Sequence, residues 1–178
     1  PTYSGADVGN YSITNHPTVT ADVAVKALTA TASTANKVYD GTTTATTTLT
    51  FSGLIGSETL GQTVGSTFNN KNVGTGKTVT VNSITLANGT NGGLAANYSI
   101  SPGQTSTANV TAKALTAIAS AANKVYDSTT LANTTLTLSG LIGSETLNVT
   151  ANSTFDNKNI GSGKTVTVNS ITLANGTN

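Results

Sequence analysis

Short stretches of alternating apolar and polar residues run through this chain, and turn residues separate them. Such alternation has the two-residue period of a half-buried β-strand. It predicts one strand at residues 18–25 and, after a shift of phase at Lys26 and Ala27, a second from Leu28 onward. The clearest strand begins with the TVTV of residues 78–81. A further slip of phase at Asn82-Ser83 predicts a β-bulge or a strand crossing between sheets there.

Turn signals fill the gaps between these strands. Asp40-Gly41 is a turn dipeptide, but the matching pair Asp127-Ser128 lacks glycine, so we expect a turn that does not demand glycine. The two aspartates are then expected to cap backbone amides of the threonines that follow. The GTGK of residues 74–77 is interpreted as a hairpin loop, and Asn88-Gly89 as a second hairpin.

The chain repeats itself with an offset of 87 positions. The NKVYDGTT of residues 36–43 returns as NKVYDSTT at 123–130, and the GKTVTVNSITLANGTN of 76–91 returns unchanged at 163–178. The predicted partition is a closing strand of a preceding repeat at 1–25, a complete repeat at 26–112, and a second repeat at 113–178 that lacks its last strand. The alternative partition is 5–91 and 92–178. We refer to 26–112 as the first unit and 113–178 as the second unit.

Several short strands and turns within such a repeat predict an all-β fold of tandem immunoglobulin-like antiparallel β-sandwich units. Each unit should have its own core, formed in the second unit by the residues 87 positions on. The join at Lys113 and Ala114 has no glycine, serine or proline run, so it predicts stiffness between units. The core predicted for the first unit consists of Leu28, Val38, Tyr39, Leu49, Phe51, Leu54, Phe68, Val79, Val81, Ile84, Leu86, Tyr98 and Ile100.

Composition and charge argue against several classes of function. Lys and Arg together number 8 against 7 acidic residues, so the net charge of +1 provides no patch for nucleic acid. No stretch is apolar enough for membrane insertion, and the absence of cysteine excludes disulfides. The only histidine is His16, so a histidine triad or histidine metal site has no second member, and no enzyme activity is expected.

Two chemical alternatives remain open. No cofactor is expected, although distant loops carrying Asp40, Glu58 or Asn70 could together bind a calcium ion. A self-made isopeptide crosslink from Lys37, Lys71 or Lys158 to an asparagine is also conceivable, but exposed lysines in polar loops are the simpler interpretation.

Four motifs together resemble a known kind of repeat. They are the KVYDGT of 37–42, the GLIGSETL of 53–60, the NKNVGTGKTVTV of 70–81 and the ANYSI of 96–100. The chain resembles the YDG-motif repeats, related to the mostly bacterial immunoglobulin-like (MBG-type) repeats of large bacterial surface adhesins of the filamentous-haemagglutinin-like kind. The resemblance implies a surface-exposed stalk or secreted filament outside a bacterial cell.

The expected function is structural: rigidly joined repeats that give an adhesin stalk or extracellular filament its length. The alternative is an adhesive module that binds glycans or a surface. The expected partners are neighbouring repeats of the same chain and identical chains joined head to tail by strand donation. The inserting face predicted for that donation consists of Tyr11, Ile13, Val19, Ala21 and Val23.

Overall fold

The computed structural model describes residues 4–176 and contains fourteen β-strands and two short 3₁₀ helices. Nine strands belong to the first unit and five to the second. No helix in this described part of the chain is long and apolar enough to cross a membrane. The strands are β1 Lys26–Ala27, β2 Thr29–Thr34, β3 Lys37–Val38, β4 Thr44–Ala45, β5 Thr47–Ser52, β6 Leu60–Phe68, β7 Gly74–Asn88, β8 Tyr98–Ser99, β9 Thr105–Thr111, β10 Thr116–Ala121, β11 Leu131–Ala132, β12 Thr134–Ser139, β13 Leu147–Phe155 and β14 Val166–Asn175.

The first unit contains a five-stranded sheet, a two-stranded sheet and the short pair of β1 with β8. The larger sheet has the order β3-β9-β7-β6-β4, and the smaller one pairs β2 with β5. Polar side chains join the two sheets: the Gln62 side chain accepts from the Leu49 amide at 3.1 Å and donates to the Leu49 carbonyl at 2.7 Å. The predicted all-β, sandwich-like fold is therefore confirmed.

Two pairings depart from the expected antiparallel arrangement. β1 pairs with β8 in parallel, and β3 pairs with β9 in parallel. Both are short pairings between the start of the unit and its end, so the closing residues 98–111 contact strands that are distant in sequence. β9 thereby lies inside the sheet, between β3 and β7.

The predicted bulge is confirmed in both units. In the first, Gly65 pairs with Ser83 and Ser66 with Val81, so Asn82 is the additional residue. In the second, Asn169 is the additional residue, since Asn152 pairs with Ser170 and the next register pair involves Val168. The side-chain amide of Asn82 donates to Thr67 Oγ1 at 3.0 Å across the bulge.

The core of the first unit lies around β9. Its central cluster is Ala45, Phe68, Val79, Ala108 and Val110, with Tyr39 partly buried against it. Leu28, Leu49, Val81 and Tyr98 are buried as predicted. Val38 is 55% exposed, so its assignment to the core is wrong. It lies on a two-residue strand at the edge of the sheet, where one face is open to water.

The core predicted for the second unit is formed only in part, since members such as Leu136, Leu138 and Val168 are partly buried and others are exposed. Among its described residues no apolar side chain is fully buried. The one residue that is fully buried there is the polar Ser153. Val125 and Ile171 are exposed, while Phe155 is only partly buried. The physical reason is that the described part of the second unit has no strand in the position that β9 occupies in the first unit.

Three local predictions are also wrong. Residues 18–25 form no strand, because a strand needs a partner and these residues are exposed along their whole length. The GTGK of 74–77 lies within β7, because β9 pairs with both Gly74 and Lys77. Asn88-Gly89 closes no two-residue hairpin, since the chain instead loops to β8. A side chain at Gly89 would meet the Thr59 carbonyl oxygen at 2.1 Å, so close approach requires glycine there.

Candidate functional site at the unit junction

The loop after β3 holds a network that recurs in both units. Asp40 Oδ1 accepts from the Lys37 ammonium at 2.7 Å and from both the amide and the hydroxyl of Thr42 at 2.9 Å. Asp127, Lys124 and Thr129 repeat these contacts, so the predicted capping by the aspartates is confirmed. These hydrogen bonds lower the pKa of both carboxyls to about 2. The bond from the lysine has the largest effect, and those from the threonine follow.

The turn accepts a residue other than glycine, as expected, but its backbone conformation is one that glycine favours. Gly41 has φ 78° and Ser128 has φ 61°, so both residues adopt the left-handed region that glycine favours. Serine at position 128 adopts a conformation that costs an L-residue about 1–2 kcal/mol. Lys124 and Asp127, which precede Ser128, hold the loop in this shape through hydrogen bonds with Thr129, which follows it.

Side chains of both units meet at a junction. The Tyr39 hydroxyl donates a hydrogen bond to Glu145 Oε1, and the Lys71 ammonium lies 3.3 Å from the same oxygen. A side chain at Gly41 would approach Ile142 Cγ2 to 2.9 Å, so the backbone of the first unit lies against the second there. A cleft of about 780 Å³ lined by residues of both units adjoins these contacts.

The junction shifts the ionisation of its members. The hydrogen bond from Tyr39, with a smaller effect of Lys71, lowers the pKa of Glu145 although partial burial opposes this. The same hydrogen bond raises the pKa of Tyr39, and the Glu145 carboxylate raises the pKa of Lys71. The three groups therefore stabilise one protonation state: a neutral tyrosine, a carboxylate and an ammonium.

The first unit contains a related contact within itself. The Tyr98 hydroxyl donates to Glu58 Oε2 and accepts from the Ile55 amide at 3.2 Å. Glu58 is the residue equivalent to Glu145.

The residues of the predicted inserting face lie in the open. Tyr11 is 83% exposed, Ile13 55%, Val19 91% and Val23 99%, and Ala21 is exposed as well. The structure brings none of them into a sheet. Their counterparts 87 positions on are Tyr98, Ile100, Ser106, Ala108 and Val110.

The residues considered for calcium are engaged in separate contacts. Asp40 is bound by Lys37, Glu58 by Tyr98, and the Asn70 side-chain oxygen by the Lys77 ammonium. Within residues 4–176 no group of three or more acidic, histidine or cysteine side chains could hold a metal ion.

The sequence analysis did not predict that Lys77 is buried. Lys77 is 9% exposed and donates to Asn70 Oδ1 and to the Asn72 carbonyl, the latter at 2.7 Å. Its position at the start of the alternating TVTV strand was the available signal. Lys37 and Lys71, considered as crosslink donors, instead form ion pairs with Asp40 and Glu145.

Comparison with known proteins identifies the family. The family model described as the YDG domain matches residues 24–108 and 111–178. The expected resemblance to MBG-type repeats of bacterial adhesins is wrong, since the family found is the YDG domain. No curated protein and no solved structure matches the chain. The two matched segments cover most of the sequence, and the chain therefore belongs to the YDG domain family.

Proposed function

We propose that the chain is a structural segment of a tandem array, in which repeated units give length and rigidity to a secreted or cell-surface stalk or filament. The observation that carries this proposal is that each unit contains both halves of the junction. One half is formed by Tyr39 and Lys71, with the equivalents Tyr126 and Lys158; the other is Glu145, with the equivalent Glu58.

Side chains at the junction between the two units are less exposed than their equivalents at the free ends of the units. Tyr39 and Ile142 lie at the junction and are partly buried. Their equivalents Tyr126 and Ile55 are each 56% exposed. A further unit at either end would cover these surfaces by the same contacts, and a head-to-tail contact of this kind repeats without closing.

The connection between the units also supports a stiff array. β9 ends at Thr111 and β10 begins at Thr116, so a short segment joins the sheets. Leu115 within it is partly buried. A connection of this length, held on one side by the Tyr39 and Glu145 contact, leaves little freedom for bending.

A distance measurement across the junction tests the proposal. The chain has no cysteine, so Thr63→Cys and Thr150→Cys, at equivalent exposed positions, would carry the only two spin labels. Double electron–electron resonance should give one narrow distance distribution. Tyr39→Phe combined with Glu145→Gln should broaden it, because both ends of the junction hydrogen bond are changed.

Tyr126→Phe is the matched control, since Tyr126 is the equivalent tyrosine and contacts no further unit in the described structure. It should leave the distribution unchanged. A broad distribution in the otherwise unmodified chain would contradict the proposed rigidity. An equal width of the distance distribution in the doubly substituted chain and in the control would also contradict the proposed rigidity.

A further inference from the structure

Two parallel strand pairings join the beginning of the first unit to its end. We refer to residues 26–39 as the opening segment and to residues 98–111 as the closing segment. β1 of the opening segment pairs with β8 of the closing segment, and β3 pairs with β9. In the second of these pairings, Val38 lies opposite Thr111. The chain therefore enters and leaves this unit through segments that are bonded to each other.

Backbone hydrogen bonds extend both pairings beyond the short strands. The Leu28 amide, directly after β1, donates to the Ser99 carbonyl at 2.8 Å. The Tyr39 amide, directly after β3, donates to the Thr111 carbonyl at 2.8 Å. Each parallel pairing is thus continued by one further residue of the opening segment.

Side chains add further bonds between the same two segments. Asn36 Oδ1 accepts from the Asn109 amide at 2.7 Å. The hydroxyls of Thr34 and Ser106 form a hydrogen bond of 2.5 Å. Residues between the two parallel pairings are therefore also connected, so the opening and closing segments are held together at several points along their length.

The closing segment is anchored in the core of the unit. Val110 is 1% exposed and Ala108 is 5% exposed, and both belong to the central apolar cluster. Tyr98 and Leu28 are also buried. Hydrogen bonds are stronger where water is excluded, so this packing strengthens the bonds that join the two segments.

The direction of the paired strands determines how tension acts on their bonds. In a parallel pair, the beginning of one strand and the end of the other lie at opposite ends of the pair. Tension that enters at Lys26 and leaves at Thr111 therefore pulls the paired strands lengthwise past each other. All bonds along a pair then carry the load together, whereas strands that are pulled apart from the same end lose one bond at a time.

We propose that the two parallel pairings form a mechanical clamp, by which the unit bears tension along the chain. The clamp keeps the unit folded until several hydrogen bonds break in one event. Bearing load goes beyond the length and rigidity of an array. Its use in a stalk rests on the proposed array role, because a stalk held at both ends is under tension. The clamp itself is formed within the first unit alone.

Single-molecule pulling of the full chain in two directions tests the inference. The sequence contains no cysteine, so pairs of introduced cysteines can carry the handles. Ala24→Cys with Ala112→Cys loads the opening and closing segments lengthwise. Val38→Cys with Ala112→Cys instead pulls β3 and β9 apart from the same end. All three side chains are exposed, so the handles leave the core of the unit intact.

The two directions should give different rupture forces at the same loading rate. The force for the lengthwise pair should be at least about twofold higher, because several hydrogen bonds share the load instead of one. A smaller difference, or a higher force for the pair at positions 38 and 112, would overturn the inference.

Asn36→Ala separates the clamp from general stability. It removes the acceptor of the Asn109 amide, while Asn36 itself is exposed and the backbone pairings remain. The lengthwise rupture force should fall by about a quarter, because one of the four hydrogen bonds described above is lost. The force for pulling from the same end should stay unchanged, because the bond of Tyr39 with Thr111 is loaded first.

Asn123→Ala is the matched control, since Asn123 is the equivalent asparagine and lies outside the loaded segment. It should change neither force. An equal effect of Asn36→Ala in both pulling directions, or no effect in either, would overturn the inference. Failure of the array role would be seen instead as a broad spin-label distance distribution across the junction, because the loaded segment ends before the second unit.

Discussion

Replacing the equivalent phenylalanines Phe68 and Phe155 by alanine should have unequal effects, because only one of them lies beneath a closing strand. Phe68 is 3% exposed and packs in a cluster with Val79 and Val110. Its truncation leaves a cavity that the surrounding strands cannot fill, and such changes cost about 3–5 kcal/mol. That is a large part of the stability of a small domain.

Phe155 is only partly buried and borders a cleft of about 520 Å³ in the second unit. Water can enter the space left by its side chain, so mainly the transfer free energy is lost, and we expect a cost of about 1–2 kcal/mol. The ammonium over each ring is no source of difference, since Lys37 lies 5.6 Å from the Phe68 ring centre and Lys124 lies 5.7 Å from that of Phe155.

Native-state hydrogen exchange with peptide-level mass spectrometry is the suitable assay, because it reports the opening free energy of β7 and of β14 separately. Appending residues 92–112 after Asn178 should raise the cost at Phe155 toward that at Phe68. Equal costs at the two positions in the unmodified chain, or a cost below about 1 kcal/mol at Phe68, would refute the reasoning.

Two further predictions concern the loop after β3. Ser128→Gly should stabilise the second unit by about 1 kcal/mol, because glycine adopts the left-handed backbone at this position without the strain that serine has. Gly41→Ser should destabilise the first unit and disturb the junction at Ile142. Thermal unfolding of both variants measures these changes. Acidification should remove the contribution of Asp40 and Asp127 to the free energy of unfolding. Their pKa is lowered in the folded state, so the stability that they add is fully present above the ordinary pKa of 3.8. It is lost as the pH falls through about 2. Asp40→Asn with Asp127→Asn should flatten that acid limb in pH-dependent unfolding, and an unchanged limb would contradict the assignment.

The sequence was sufficient to predict part of the local β structure. Alternation identified the strand at residues 78–81, and the slip at Asn82 located the bulge, because both are properties of one strand and its facing. The repeat allowed each feature to be compared with a second example. The capping by Asp40 and Asp127 followed from side chains that bond their own neighbouring backbone.

Contacts between distant segments could not be predicted in the same way. The parallel pairing of β3 with β9 has no signature in either strand alone. The pairing of β9 with Gly74 and Lys77 of β7 places residues 74–77 in a strand instead of a loop. The junction of Tyr39 with Glu145 joins two motifs that each look like a polar turn. The positive φ of Ser128 was missed because serine at the glycine position suggested a different turn.

The most direct test of the proposed array role is small-angle X-ray scattering of chains with two, four and six repeats. Each chain would carry a copy of residues 92–112 after its last repeat, so that its last unit is closed as the first unit is. The account predicts a maximum dimension that grows in proportion to the number of repeats, because every junction repeats the Tyr39 and Glu145 contact. Growth with about the square root of the number of repeats, as for flexibly linked domains, would contradict it.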